Sequence, residues 1–151
     1  MPNGKRFGRH LQQWLVNSED KMSTLLEKLQ QREDFYCEKG ASNDQIMNAE
    51  KLLGLSFADD YKEYLLRYGS ISCCGHELTG FSADINLDVV HVTIHNREKN
   101  TNISIPLYVI EETHIDGIVV WQDSAGAVWL TEYNGAPIKK YDSLNEYIAT
   151  F

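Results

Sequence analysis

Apolar positions follow a helical rhythm at both ends of the chain and a strand rhythm through most of the second half. Leu11, Leu15, Ser18, Met22, Leu25 and Leu29 step by three and four, with Trp14 and Leu26 alongside. This stripe predicts a helix over residues 11–31, interrupted near Asn17-Ser18. Ser42-Asn43-Asp44-Gln45 has the form of a capping box, in which serine and glutamine satisfy each other's backbone N–H groups. Ile46, Ala49, Leu52 and Leu53 then supply an apolar face, and Gly54 supplies a stop. Ser56-Phe57-Ala58-Asp59 repeats the start signal. Tyr61, Tyr64, Leu65 and Tyr68 share one face of a second helix, which the sequence ends at Gly69.

After Gly69 the period changes. Residues 76–81 read as a first strand. Residues 87–99 carry the β-branched run Val89-Val90-His91-Val92. Asp88 is placed as an N-cap, however, and Val89, Val92, Thr93 and Asn96 would share a helical face, so a helix is expected. Residues 103–110 read as a strand that Pro106 pushes toward a sheet edge or a bulge. Residues 118–121, 127–133 and 138–141 read as three further strands. Asp123-Ser124-Ala125-Gly126 turns between the first two, and Asn134-Gly135 is a strong hairpin signal before the third. Ser143-Leu144-Asn145-Glu146 is a third capping box, followed by Leu144, Tyr147, Ile148 and Phe151 on one face. The order implies an α+β fold: N-terminal helices packed on one face of a mostly antiparallel sheet, with a closing C-terminal helix.

The 151 residues suit one domain, and no Pro/Gly/Ser-rich linker divides them. The expected organisation is an N-terminal extension over 1–21, with Met22 a second plausible start, and a single domain over 22–151. No long apolar run and no secretory leader pattern are present, so no membrane partner is expected and the cytoplasm is the expected location. Three cysteines, Cys37 and the adjacent Cys73-Cys74, fit free thiols better than a disulfide scaffold. The net charge of -8 is uneven: residues 1–35 balance at +1 and residues 36–151 at -9. That acidic body disfavours nucleic acid, which binds through Lys and Arg, and favours a basic protein partner.

Ala41-Ser42, Ile46, Ala49-Glu50, Leu52-Leu53-Gly54-Leu55, Phe57, Tyr61-Lys62-Glu63-Tyr64-Leu65 and Tyr68-Gly69 together resemble the signature of the SUKH superfamily. More loosely, Leu107-Tyr108-Val109-Ile110, Asp116-Gly117, Trp121, Val128-Trp129-Leu130 and the ending over 138–151 are similar to the rest of it. The resemblance covers about residues 25–151. One departure is Ala58, where the family usually has a proline. The resemblance implies an immunity protein that binds and neutralises a cognate secreted toxin, often a nuclease. A fungal branch of the family, which regulates cell-wall synthesis, is the alternative. No enzymatic activity and no cofactor are implied.

Several constellations have the residue types of chemical sites. His91 and His95, four apart on a helix, have metal-ligand spacing, with His114 or Asp88 as a third ligand only if the fold brings it near. They lack the glutamate of a zincin helix, so ordinary surface histidines are the expectation. A Cys73 or Cys74 nucleophile with His76 would need a cationic or helix-N-terminal setting that the sequence does not display. Glu111, Glu112, Asp116, Asp123 and Glu132 form an acidic group around strand ends, and Trp121 and Trp129 fall on successive strands. Those seven residues are the expected partner-binding face, since aromatic residues dominate interface hot spots and acids suit a basic partner.

Overall fold

The computed structural model describes residue 22 and residues 24–151. The expected extension over 1–21, and with it most of the first helical stripe, lies outside the described residues. The remainder of that stripe is helix α1, which includes residues 24–30. Met22 and Leu26 are buried, with Leu25 and Leu29 packed beside them.

Seven strands follow one another across a single antiparallel sheet in chain order. They are β1 (Tyr36–Lys39), β2 (Tyr68–Cys73), β3 (His76–Leu78), β4 (Tyr108–Glu112), β5 (Ile118–Gln122), β6 (Val128–Glu132) and β7 (Ile138–Tyr141). Helices α2 (Asn43–Leu53) and α3 (Asp59–Arg67) connect β1 to β2, α4 (Val89–Lys99) connects β3 to β4, and α5 (Leu144–Ile148) closes the chain. The α+β expectation therefore holds.

The local signals account for much of this. Ser42 and Gln45 form the reciprocal capping box of α2, and Gly54 leaves it at φ 69°. Asp88 caps α4 by accepting from the His91 amide. The residues that α4 buries are Val89, Val92, Thr93 and Asn96, the face its spacing selects.

Other expectations are corrected. The sheet does not begin at residue 76: β1 and β2 precede it, and β2 starts at Tyr68 directly after α3. Gly69 is thus not a helix stop but the second residue of a strand. It lies where backbones meet, since a Cβ there would come 2.5 Å from both the Lys39 and Phe81 carbonyl oxygens. The N-cap of α3 is Ala58 rather than Ser56, and it has no side-chain cap. The Ala58 amide donates instead to the Tyr108 hydroxyl (2.9 Å), and the Phe57 amide to Glu50 (2.8 Å). The strand expected over 103–110 begins later, at Tyr108, with Pro106 in its lead-in. At the last hairpin the left-handed pair is Tyr133-Asn134, at φ 48° and 61°, rather than Asn134-Gly135. At α5, Ser143 caps the Glu146 amide, but the Glu146 carboxylate returns to Asp142 N rather than to Ser143 N.

Two apolar clusters lie on opposite faces of the sheet. The larger joins Ile46, Ala49 and Leu53 of α2 to Tyr61, Tyr64 and Leu65 of α3, Leu144, Tyr147 and Ile148 of α5, and Tyr108, Val120 and Val128 of the sheet. The smaller joins Val92 of α4 to Leu107, Val109 and Trp121. Val109 pairs with Trp121 while Tyr108 pairs with Gln122, so side-chain alternation separates the two sets.

Buried tyrosines need partners for their hydroxyls, and here they have them. Tyr61 and Tyr64 both reach Thr79, whose own hydroxyl donates to the Val109 carbonyl. Tyr108 donates to Gln122 Oε1 at 2.7 Å, and Gln122 Nε2 donates to Asp60. Asp60 also accepts from the Leu144 amide at 2.9 Å, which fastens α5 to α3. Burial raises the Asp60 carboxyl above its ordinary value of 3.8. The folded state therefore holds this proton more tightly than the unfolded chain does. Its contribution to stability is fullest below 3.8 and declines as the pH rises through the raised value. In urea titrations across that window, the stability difference between wild type and Asp60→Asn is expected to fall with increasing pH. A difference that stays flat would contradict the assignment.

Candidate functional site

The turns that join β2 to β3, β4 to β5 and β6 to β7 all emerge at one end of the meander. The second and third form a rim built on unusual backbone. His114, Asp116 and Gly117 in one turn and Tyr133 and Asn134 in the other all have positive φ, between 48° and 63°. Only glycine adopts such angles freely, so the four other residues store strain that the surroundings must hold.

Hydrogen bonds supply that support. The Thr113 hydroxyl donates to the Ile118 carbonyl at 2.7 Å, and the Tyr133 amide donates to the Gly117 carbonyl at 3.0 Å. From beyond α4, Asn100 Nδ2 donates to the Gly135 carbonyl and Asn102 Nδ2 to the Asn134 carbonyl, each at 2.9 Å. The Tyr133 ring lies over Gly117, where a Cβ would come 2.6 Å from Tyr133 Cδ1. The outcome is two large apolar side chains held in solvent: Ile115 is 63 % exposed and Tyr133 73 %. Burying them would be worth roughly 1.5–3 kcal/mol each. Between the rim and the end of α4 runs a cleft of about 220 Å³, lined by Asn96, Lys99, Glu112, His114 and Tyr133 among others.

The seven residues singled out in the sequence separate into three groups. Asp116 and Glu132 are exposed on this rim, and Glu112, half-buried, lines its cleft while accepting from Asn96 at 3.1 Å. Asp123 and Trp129 sit together toward the opposite end of the sheet. Asp123 Oδ1 accepts the amides of Ala125 and Ala127, and its Oδ2 accepts the indole N–H of Trp129 at 3.1 Å. Both of its oxygens thus hold the β5–β6 turn. Trp121 and Glu111 leave the expected face altogether. Trp121 is fully buried in the smaller cluster, its indole N–H donating to Thr131. Glu111 is 2 % exposed and belongs to the interior. Sequence reasoning did not find Ile115 and Tyr133. Asn134-Gly135 marked one turn and Asp116-Gly117 entered through the family resemblance, but nothing marked their neighbours as exposed.

Glu111 anchors a second arrangement. It accepts from His76 Nδ1 at 2.9 Å, when that nitrogen carries the proton, from the Glu77 amide at 2.8 Å and from the Tyr147 hydroxyl. The His76 ring stacks on Phe151, centroids 3.8 Å apart. A carboxylate that orients a histidine is a feature of general-base sites. Here the histidine is covered by the last aromatic residue, and the group as a whole ties α5 and the chain end to β3 and β4. The imagined cysteine–histidine pair is not assembled, because His76 turns to Glu111 and the Cys73 thiol to Asp34.

His91 and His95 stack on exposed turns of α4, with ring centroids 6.2 Å apart. Among the described residues, the metal-ligating atoms that gather in a group of three within 4.8 Å are those of Asp34, Cys73 and Cys74. Neither α4 histidine belongs to that group. No helix among the described residues is long and apolar enough to cross a membrane.

Helices docked on a seven-stranded antiparallel meander, with an acidic, aromatic rim at one end, define a small α+β domain. A family model described as SMI1-KNR4 cell-wall, SUKH_5, matches residues 22–150. The chain belongs to that family. No curated protein matches it significantly.

Proposed function

We propose that this protein is an immunity protein, which binds and neutralises a cognate secreted toxin through the rim formed by the β4–β5 and β6–β7 turns. The observation that carries the reading is the strained backbone that holds Ile115 and Tyr133 out among Asp116, Glu132 and Glu112. Backbone strain of this kind gathers at functional sites, and a pre-organised aromatic costs little entropy to bind. Membership of the SMI1-KNR4 family is consistent with it. The net charge of -8 suits a toxin with a basic surface, as a nuclease would have. No catalytic step is part of this proposal, and the cytoplasm is the compartment in which such a protein would meet its toxin.

The test is binding of an inactivated cognate toxin to purified wild-type and variant protein. Tyr133→Ala is expected to weaken the complex roughly tenfold or more, as removal of a hot-spot aromatic does. Asp116→Lys with Glu132→Lys should slow association and flatten its salt dependence. Full affinity in both variants, with folding intact, would rule out the rim. The family description itself supports a second reading, a regulator of cell-wall synthesis. Co-purification with cell-wall synthesis proteins, and no complex with any toxin, would favour that one.

A further inference from the structure

The turn between β2 and β3 places two cysteines side by side. Cys73 ends β2 and pairs with His76, so Cys74 and Gly75 are the two turn residues, at φ 61° and 81°. This geometry brings both side chains together, with Cys73 Sγ and Cys74 Sγ 2.6 Å apart. Asp34, from the segment between α1 and β1, completes the group. Its Oδ2 accepts the Cys74 amide at 3.0 Å, and its Oδ1 lies 3.8 Å from Cys73 Sγ. Arg32 Nε donates to the same carboxylate at 3.2 Å. The two sulfurs differ in access: Cys73 is buried and Cys74 half-buried.

We propose that Cys73 and Cys74 are a redox modification site, a vicinal dithiol that low-mass disulfides oxidise to a reversible disulfide between adjacent residues. The Cys74 thiolate attacks one sulfur of the oxidant, forming a mixed disulfide and expelling one thiolate. Cys73 then gives up its proton on the Asp34 side and attacks Cys74 Sγ, expelling the second. Two protein thiols lose two electrons and two protons in all, and the oxidant becomes two thiols. The order follows from access and acidity, since burial pushes the Cys73 thiol up to about 12 and the thiolate is the nucleophile. Adjacent Cα atoms are held about 3.8 Å apart, below the usual span of a disulfide. The ring is therefore strained and easily reduced, the property of labile rather than structural disulfides.

The experiment uses full-length Cys37→Ser protein, which removes the exposed third thiol. It is equilibrated natively with oxidised glutathione, quenched in acid, unfolded, alkylated and weighed intact. The expected product is two hydrogens lighter, takes up no alkylating agent, retains no glutathione and reverts with dithiothreitol. Adding Cys73→Ser should trap one glutathione on Cys74. Adding Cys74→Ser should slow any reaction by about tenfold or more, through the poor access and small thiolate fraction of Cys73. A stable glutathione adduct on the intact pair, a covalent dimer, or two thiols that still alkylate after equilibration would overturn the proposal.

Discussion

Gly80→Ala is expected to destabilise the protein by about 3 kcal/mol or more, because there is no room for a single methyl group. A Cβ at this position would stand 1.7 Å from the Gly69 carbonyl oxygen and 3.2 Å from Leu65 Cδ2. The obstacle is backbone, and it cannot swing aside. Gly69 O accepts from the Phe81 amide at 2.7 Å. Gly80 itself donates to Leu87 O at 2.9 Å and accepts from Val89 N at 2.8 Å, which fixes where α4 begins. Moving the two chains apart would therefore disturb β2 and the start of α4 together. Gly54→Ala is the comparison. Gly54 has nothing within 4 Å of a new Cβ but sits at φ 69°, so only the left-handed backbone is penalised, by about 1 kcal/mol. Urea unfolding of the two variants should separate steric exclusion from backbone preference. Equal, small losses would mean that the Gly69–Gly80 contact can relax.

Glu111→Ala is the second large effect, expected near 3 kcal/mol, whereas Glu112→Ala should cost less than about 1 kcal/mol. Glu111 accepts from His76, Glu77 N and Tyr147 in a buried setting, so truncation leaves the Tyr147 hydroxyl and the Glu77 amide without their acceptor. Burial, which the truncation leaves in place, pushes the Tyr147 hydroxyl up, so that group cannot relieve the loss by ionising. Glu111→Gln should fall between, since its amide oxygen still accepts while its NH2 opposes a donor. Denaturant unfolding of the three variants is the measurement, and near-equal losses for Glu111→Ala and Glu112→Ala would refute the distinction. A selective rise in proteolysis of the last residues in Glu111→Ala would show that this carboxylate fastens α5 and Phe151.

The contrast between these neighbours also marks where sequence reading stops. Capping residues and the apolar face of each helix act over three or four positions, so Ser42-Gln45, Gly54 and Asp88 declared α2 and α4 directly. The buried set Val89, Val92, Thr93 and Asn96 was legible for the same reason, and so was the family, whose signature lies in these helices. Strand β2 was not legible. Tyr68-Gly69 looks like a helix end, and only pairing with β1 and β3 makes it a strand.

Nor could the binding face be read from acidic residues alone. Glu111 and Glu112 are chemically alike and adjacent. In the sheet, Val109 pairs with Trp121 but Glu111 pairs with Val120, so a bulge at Ile110 shifts the register by one residue. That shift reverses the faces: Glu111 turns in toward Val120 and Tyr147, and Glu112 turns toward α4. Trp121 is interior for a related reason, since α4 and Leu107 close over its side of the sheet. Local chemistry, read along the chain, determined the α+β class, the caps of α2 and α4, the acidic charge and the family. Which acids and aromatics reach solvent was decided by register, a bulge and the packing of α4, because those depend on residues distant in sequence.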